Sequence, residues 1–582
     1  MKRYLALLAA LLLSLLLLAS CGEAEIPPAA DVTTAAPETE APPVDIEIIR
    51  DGTAYYTIVR PDKTNQATLE AAILLHGQLE KLTGVFPGLT TDWIKPGTEY
   101  DSSTLEILIG HTGYPESAQA LEGLGYGEYV VKQVGNKLVI NAWDTHSLSH
   151  AVTIFLNELV EIDEGKCILP GGTDFVRTEN FITDKLPLYP DEDMPLLYPT
   201  GSDNYLLRID TTTLNAYTEY CRILESAGFT LYTENSAASN EFDTYINDDY
   251  VINAGFYDYY KEARIIIEPR ITLPTLKPDA TVEAVPPSFT TIGLEHYYKD
   301  PDKPLQNGQS FIWQLPDGSF LIVDGGVNRN YDSKTLYNFM QEHAPDKNNI
   351  TVAAWIITHA HEDHHGAFYN FCNSGYANRI NIEQVIANFP SDQSYVDSGY
   401  DITGTRDKLL NMAAKNSKNG VIKAHVGHVY YLGGAVVEML YTYESHLPGD
   451  IEAFNTSSLV FTVDIAGQRF LVTGDATNQA CTITANMYGD YLKSDFVQIA
   501  HHGAGVGSNT SVGVRDLYTH AAAPIILWPS GQRAYDAYYK EARNAHALNL
   551  PTTKEIFISG SRVTTLLLPY TVGTSGQESI LK

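Results

Sequence analysis

Positive charge is what this sequence has least of. Its 582 residues include 38 Lys and Arg against 71 Asp and Glu, a formal net charge of −33. Phosphate affinity comes from Lys and Arg, so a general nucleic-acid coat is excluded and no stable nucleic-acid partner is expected. A metal ion can supply positive charge locally, so an enzyme that cuts phosphodiesters is not excluded. The deficit is uneven: residues 1–285 carry 43 acidic and 18 basic side chains, residues 286–582 carry 28 and 20. Cysteine is also scarce. After Cys21 come only Cys167, Cys221, Cys372 and Cys481, far apart and with no C-x-x-C. That excludes a disulfide framework and a thiolate zinc site, and buried free thiols are expected. No apolar run reaches the ~20 residues that span a bilayer. No internal repeat is visible. What is present is ordinary globular composition, 44% hydrophobic and 19% charged, in a chain long enough for three or four domains.

The longest apolar run, residues 4–19, follows Lys2 and Arg3 and leads into Leu18-Ala19-Ser20-Cys21-Gly22. This order resembles a bacterial lipoprotein signal. The resemblance implies removal of the first 20 residues and lipidation of Cys21, and so an extracytoplasmic protein anchored by lipid to the bacterial cell membrane. Residues 22–45 are Pro, Ala, Thr, Glu and Asp without Lys or Arg. Such a segment cannot bury enough apolar surface to fold and reads as a spacer.

Residues 46–183 read as one α+β unit. Leu69, Ala72, Ile73, Leu79 and Leu82 follow helical spacing, and Gly84 stops that helix. Gly135-Asn136 joins residues 129–134 and 137–142 as a hairpin, and a second helix is expected over 148–160. Residues 79–84, 107–110 and 151–156 resemble the small non-catalytic domain of β-hexosaminidase- and α-glucuronidase-type glycosidases. No glycosidase carboxylate pair follows, so packing or glycan contact is implied rather than glycoside hydrolysis. Residues 184–288 read as a second small α+β unit with linkers. There Asp210 or Thr211 is expected to cap a helix carrying Leu214, Tyr217, Cys221 and Leu224 on one face, with Gly228 ending it. Tyr245, Tyr250, Tyr257, Tyr259 and Tyr260 are either a sugar-stacking face or, the favoured reading, structural.

The chemistry is concentrated in residues 289–582. A hairpin ends in Asp324-Gly325-Gly326. A buried-type strand, residues 352–357, runs into Thr358-His359-Ala360-His361-Glu362-Asp363-His364-His365-Gly366. Histidines at i and i+2 in a loop can hold one ion, and Asp and His a few residues on can hold a second. Later strands end in Gly474-Asp475 and in His501-His502-Gly503, and Asn455-Thr-Ser-Ser458 opens another. Each candidate ligand follows an apolar strand, so all can gather at one sheet edge.

Together these motifs resemble the metallo-β-lactamase fold, an αββα sandwich, and within it the hydrolase domain of bacterial competence (DNA-uptake) channel proteins. The resemblance implies two divalent ions, with zinc the favoured metal for both and manganese the alternative. It places His359 and His361 on the first ion, and Asp363 and His364 on the second. Asp475 bridges both and His501 completes the second site, with His502 as the alternative. A third histidine for the first ion is not evident; His446 is the best placed, ahead of His425 and His428. Ala367 stands where the motif usually has a second Gly.

The expected chemistry is hydrolysis by a metal-activated hydroxide, with Asp363 or Asp475 orienting it and moving a proton. His365, Asn455, Ser458 and His546 are candidate substrate contacts or supports of the ligands. Phosphodiesters are the first substrate class, in nucleotides, DNA or a phosphate-containing envelope polymer. A lactam, lactone or ester is the alternative, since one fold hosts many chemistries. A non-enzymatic glycan-binding surface lipoprotein is the third reading.

Overall fold

The computed structural model describes residues 43–178, 185–190, 194–201, 203–277, 283–292, 310–328, 330–391, 402–449, 451, 454–505, 514–559 and 563–575. The signal segment, Cys21 and nearly all of the spacer lie outside the described residues. Among those described, no helix is long and apolar enough to cross a membrane. Cys167, Cys221, Cys372 and Cys481 are free thiols.

The first unit is a six-stranded mixed sheet with a small four-stranded sheet beside it. The Gly135-Asn136 turn pairs Val134 with Lys137, as the hairpin requires. Helix Gln66–Thr83 begins at Asn65, whose side chain accepts from Thr68 N, and ends at Gly84 with φ 70°. Its buried face is Ala71, Ala72, Leu75 and Leu79, while Ile73 and Leu82 face outward. Spacing located the helix, but the packed sheet decides which stripe is covered. The second helix starts earlier than expected, at Thr145–Ile154, and continues as a wider π turn, Phe155–Leu159. Asp144 caps it.

The second unit is a six-stranded antiparallel sheet over residues 196–269 with helix Leu214–Ser226 on one face. Thr213 caps that helix, accepting from Ala216 N at 3.2 Å, in place of Asp210 or Thr211. Tyr217, Tyr220 and Leu224 are buried, whereas Leu214 is exposed and Cys221 half-buried. Tyr245 and Tyr257 are buried and only Tyr259 and Tyr260 are exposed, so these tyrosines form no continuous face.

The rest of the chain is an αββα sandwich. One sheet has eight strands: seven run from Val421–Lys423 through Val385–Ala387, Thr351–Ile356, Phe320–Val323, Phe311–Gln314 and Ser288–Ile292 to Val563–Leu567, and the short Asn381–Ile382 also pairs with Thr351–Ile356. The other has seven, from Val429–Leu432 through Ala435–Tyr441, Val460–Ile465, Gln468–Val472, Phe496–Gln498 and Ile525–Trp528 to Glu555–Ile558. Between them Phe289, Trp313, Val323 and Ile356 pack against Val437, Phe461, Phe470 and Phe496. Helices Asn330–His343, Glu362–Asn373 and Ile402–Asn416 cover the outer face of the first sheet. Helices Asn478–Tyr488, Val514–Ala521 and Ala542–Leu548 cover the second. Both faces of each sheet are therefore covered, which explains the near-continuous apolar strands in the sequence.

The second unit does not hang on a linker; it is fused to the sandwich. Phe242 and Tyr257 join the cluster of Tyr441, Val460 and Tyr488, and Leu206 and Ile266 join Tyr443, Leu447 and Ile451. Asn240 Nδ2 donates to Met487 O at 2.9 Å, and Asn235 Nδ2 to Glu438 Oε1 at 2.8 Å. The contact is close enough to require glycine. A Cβ on Gly427 would stand 2.2 Å from the Cβ of Phe242.

Candidate metal centre

The site is built from strand ends. Phe320–Val323 delivers Asp324, which is fully buried. Its Oδ1 accepts from Thr358 N at 2.8 Å, and its Oδ2 from Thr358 Oγ1 at 2.9 Å and from His364 Nδ1 at 2.8 Å. Having given its proton to Asp324, Thr358 Oγ1 accepts from His359 Nδ1 at 3.0 Å. One carboxylate thus sets two tautomers: His359 and His364 carry protons on Nδ1 and turn Nε2 into the site. His361 caps helix Glu362–Asn373, which places Asp363 and His364 in its first turn. His361 Nδ1 lies 3.0 Å from His359 Nε2, and its ring packs against Phe454.

The facing sheet supplies the rest. Gln468–Val472 leads to Asp475, whose backbone N–H donates to Ser458 Oγ at 3.2 Å. Gln498 braces the same loop, accepting from Thr473 N and Gly474 N and donating to Gly474 O. Phe496–Gln498 then leads to His501, His502 and Gly503, all with positive φ (51°, 54° and 79°). Such conformations cost about 1–3 kcal/mol for a residue other than glycine and persist where the surroundings fix them. Here Ala500 N donates to Tyr518 Oη, and Arg543 and Asn544 both donate to Gly503 O at 2.8 Å. A Cβ on Gly503 would stand 2.3 Å from the Trp528 ring.

Two triads result, His359 with His361 and Asp475, and Asp363 with His364 and His502, each with its ligand atoms within 4.8 Å of one another. Asp475 Oδ2 joins them, 3.2 Å from His364 Nε2, 3.4 Å from His502 Nε2, 3.8 Å from His501 Nε2 and 3.9 Å from His359 Nε2.

The family comparison agrees with this geometry. Residues 305–493 match the metallo-beta-lactamase superfamily. The C-terminal region is a metallo-β-lactamase-fold domain. Among solved structures the chain is similar to a mutant of the CmlA beta-hydroxylase, with 15% identity, TM-score 0.32 and 50% of this chain covered. The chain spans 55% of the length of that protein. It is similar also to YhfI of Bacillus subtilis, a metallo-beta-lactamase fold protein, with 13% identity, TM-score 0.29, and 48% of this chain and 99% of that one covered. A third likeness is to a protein of unknown function from Enterococcus faecalis, at 11% identity and TM-score 0.21, covering 47% of this chain and 71% of that one. No curated protein matches.

The residues of the metallo-β-lactamase domain fit divalent ions. Imidazole and carboxylate are the donor types such ions take. His364 Nε2 and His502 Nε2 face each other at 3.2 Å, a close approach of ring nitrogens that a shared cation relieves. Asp475 Oδ1 is buried with no hydrogen-bond partner. Burial alone would raise the Asp475 carboxyl, but His364, His502 and His501 outweigh it and hold it well below the ordinary range. Asp363 is lowered in the same way, with His502 and His364 overcoming burial. Burial pushes His359 and His361 down, so both offer bare nitrogens at neutral pH.

Several sequence expectations shift. His501 was expected in the second site, and the structure gives that place to His502. His501 Nδ1 is held by Ala504 O at 2.8 Å, and its ring lies on the side of His359 and His361, whose protonation it disfavours. Two successive left-handed residues cause this one-residue change of register. Among the described residues His446, His425 and His428 join neither triad. His425 is instead clamped between Glu268 and Glu444, and His428 bonds Asn253. Ser458 is fully buried, and its Oγ accepts from Asp475 N in support of the ligand loop. Asn455 is buried beside it, its carbonyl accepting from Ser458 N. His546 bonds Thr519 on the outer helices, away from both triads; Arg543 and Asn544 of its helix make the contact to the loop. His365 is buried outside the triads, and burial with the nearby His364 pushes it down to about 4.

Asp324 is the residue the motifs undersold. Asp324→Asn is expected to weaken metal binding about 10–100-fold, because an amide nitrogen cannot accept from His364 Nδ1 or Thr358 Oγ1. Competition against a chromogenic chelator measures it, with an unchanged far-UV spectrum as the folding control.

Proposed function

We propose that this protein is a metal-dependent phosphodiesterase, held outside the cell membrane by lipid on Cys21. The metallo-β-lactamase fold supports a metal-dependent hydrolase. The observation that carries the hydrolase reading is the single oxygen of Asp475 shared between two ligand triads, and the motif pattern shared with competence-type hydrolase domains favours phosphodiesters. Held by these two triads, divalent ions would supply Lewis acidity, making hydroxide available near neutral pH and stabilising charge on the attacked group. The chain's own groups divide the remaining work. His359 and His364 are oriented through Asp324. Asp475 is 2% exposed and can only hold charge, whereas Asp363 is 27% exposed and can pass a proton to solvent. Substrate enters on that open side, where His361 and His501 are also partly exposed.

The order Lys2-Arg3, an apolar run and Leu18-Ala19-Ser20-Cys21 supports the tether. An envelope polymer containing phosphate and sugar is the substrate this placement favours, with residues 46–183 as a packing or glycan-contact unit.

The test is metal analysis of the full-length protein with assays on a bis-aryl phosphate, plasmid DNA, a lactone and a chromogenic cephalosporin. Bis-aryl phosphate turnover that disappears in Asp363→Ala is the expected result. Cephalosporin or lactone turnover without phosphodiesterase activity would replace this reading by the ring-opening one. Cys21→Ala should release the protein from the membrane fraction.

A further inference from the structure

A cleft of about 920 Å³ lies between the second unit and the metallo-β-lactamase domain and has no role in the site described above. Its floor is the C-terminal end of strand Val385–Ala387, with Asn388 and Phe389 beyond it, and the neighbouring edge strand Val421–Lys423 with Gly420 before it. These strands lie next in order to Thr351–Ile356, the strand that leads to His359. Strands are spaced by about 4.8 Å, so the cleft begins one strand over from the strand that leads to His359. The second unit contributes the opposite wall through Thr200 and Asn204, and helix Ile402–Asn416 contributes Arg406 and Asn411.

The cations of this cleft are already spent. Lys423 Nζ lies 2.7 Å from Glu268 and 3.4 Å from Glu444. Arg406 holds Asp407 at 3.1 Å and donates to Pro390 O at 3.0 Å. What remains is amide and hydroxyl. Asn204, Thr272 and Asn411 supply such groups to its lining. A ligand rich in neutral hydroxyls both donates and accepts at such a wall, whereas a polyanion needs free cations. Clefts of this volume are of the size that binds small ligands.

We infer that this cleft binds a neutral saccharide, the sugar portion of an extended substrate whose scissile bond lies at the metal centre. That the saccharide belongs to the substrate rests on the hydrolase reading above; that the cleft holds it does not.

The test uses the full-length protein, with chitotetraose and maltotetraose as neutral probes and poly(glycerol phosphate) as the anionic one, titrated calorimetrically. Ala414→Trp fills the cleft from the exposed helix wall, and Asn204→Ala removes a polar group from the facing wall. The expected result is saturable binding of a neutral probe, weakened about tenfold or more by each variant, which is at least about 1.4 kcal/mol. Bis-aryl phosphate turnover should be unchanged in Ala414→Trp. No binding of either neutral probe, or equal binding by Ala414→Trp and the wild type, overturns the inference. Binding of poly(glycerol phosphate) alone, lost in Ala414→Trp, overturns it in favour of a polyanion site. Saccharide binding lost in the variants of a protein with no phosphodiesterase activity leaves the cleft assignment standing and removes the hydrolase reading.

Discussion

Asp475→Ala is expected to empty both halves of the metal centre and to lower bis-aryl phosphate turnover by about 10³-fold or more. The size follows from position. One oxygen of this carboxylate lies within 3.2–3.9 Å of four imidazole nitrogens. Its removal takes a ligand from the first triad and the counter-charge from the second, leaving histidines crowded in a dry pocket. Elemental analysis of the purified variant and chelator competition report the metals independently of turnover. Retention of two ions per chain in Asp475→Ala would show that the carboxylate is not shared. Asp475→Asn should retain more metal than Asp475→Ala, because one amide oxygen still faces the site.

The second large effect lies at the joint between the second unit and the sandwich. Glu268 accepts from Lys423 Nζ and from His425 Nε2, both at 2.7 Å, and Glu444 accepts from His425 Nδ1 at 2.9 Å. Glu268 and His425 are each 1% exposed. Glu268→Gln therefore leaves one buried positive charge uncompensated, and breaking a buried pair in this way costs about 3–5 kcal/mol. That is a large share of the about 5–15 kcal/mol that holds a domain together. Glu268→Gln combined with Lys423→Met should recover much of the loss, because the pair then vanishes as a unit. Urea unfolding midpoints of the full-length single and double variants measure both.

The pH dependence has a defined direction. Burial would lower His425, but Glu444 and Glu268 outweigh it and raise it to about 9 from 6.5. Its contribution is complete below the ordinary 6.5 and is lost as pH rises through about 9. Burial would raise Glu268, but Lys423 and His425 outweigh it and bring it to about 2 from 4.5. Its contribution is complete above 4.5 and is lost as pH falls through about 2. The difference in stability between wild type and Glu268→Gln should thus be greatest between about pH 4.5 and 6.5 and shrink on either side. A difference that is flat from pH 4 to 9 would count against the charged cluster.

Much of the sandwich was legible because its strands are covered on both faces and so read as unbroken apolar runs. The ligands were legible because each follows such a run: His359 after Ile356 and Ile357, Asp475 after Val472, and the two histidines after Ile499. The choice between His501 and His502 was not, since it depends on backbone angles that Trp528, Tyr518, Arg543 and Asn544 impose from distant positions. Asp324 was visible as a motif but not as the group that sets two imidazole tautomers. Ser458 and His546 carried suitable chemistry and proved to face other partners.

By itself the sequence determined the class of chemistry, the order of the ligand-bearing strands and the excess acidity of the first half, because composition and local periodicity are properties of short stretches. Only the tertiary structure decided which ring nitrogen faces which carboxylate. It alone showed that residues 196–269 are fused to the sandwich through Phe242, Gly427 and the Glu268–His425–Glu444 cluster, and that this fusion forms a cleft. Those facts depend on close approach between residues up to 247 positions apart, and spacing along a chain carries no record of such contacts.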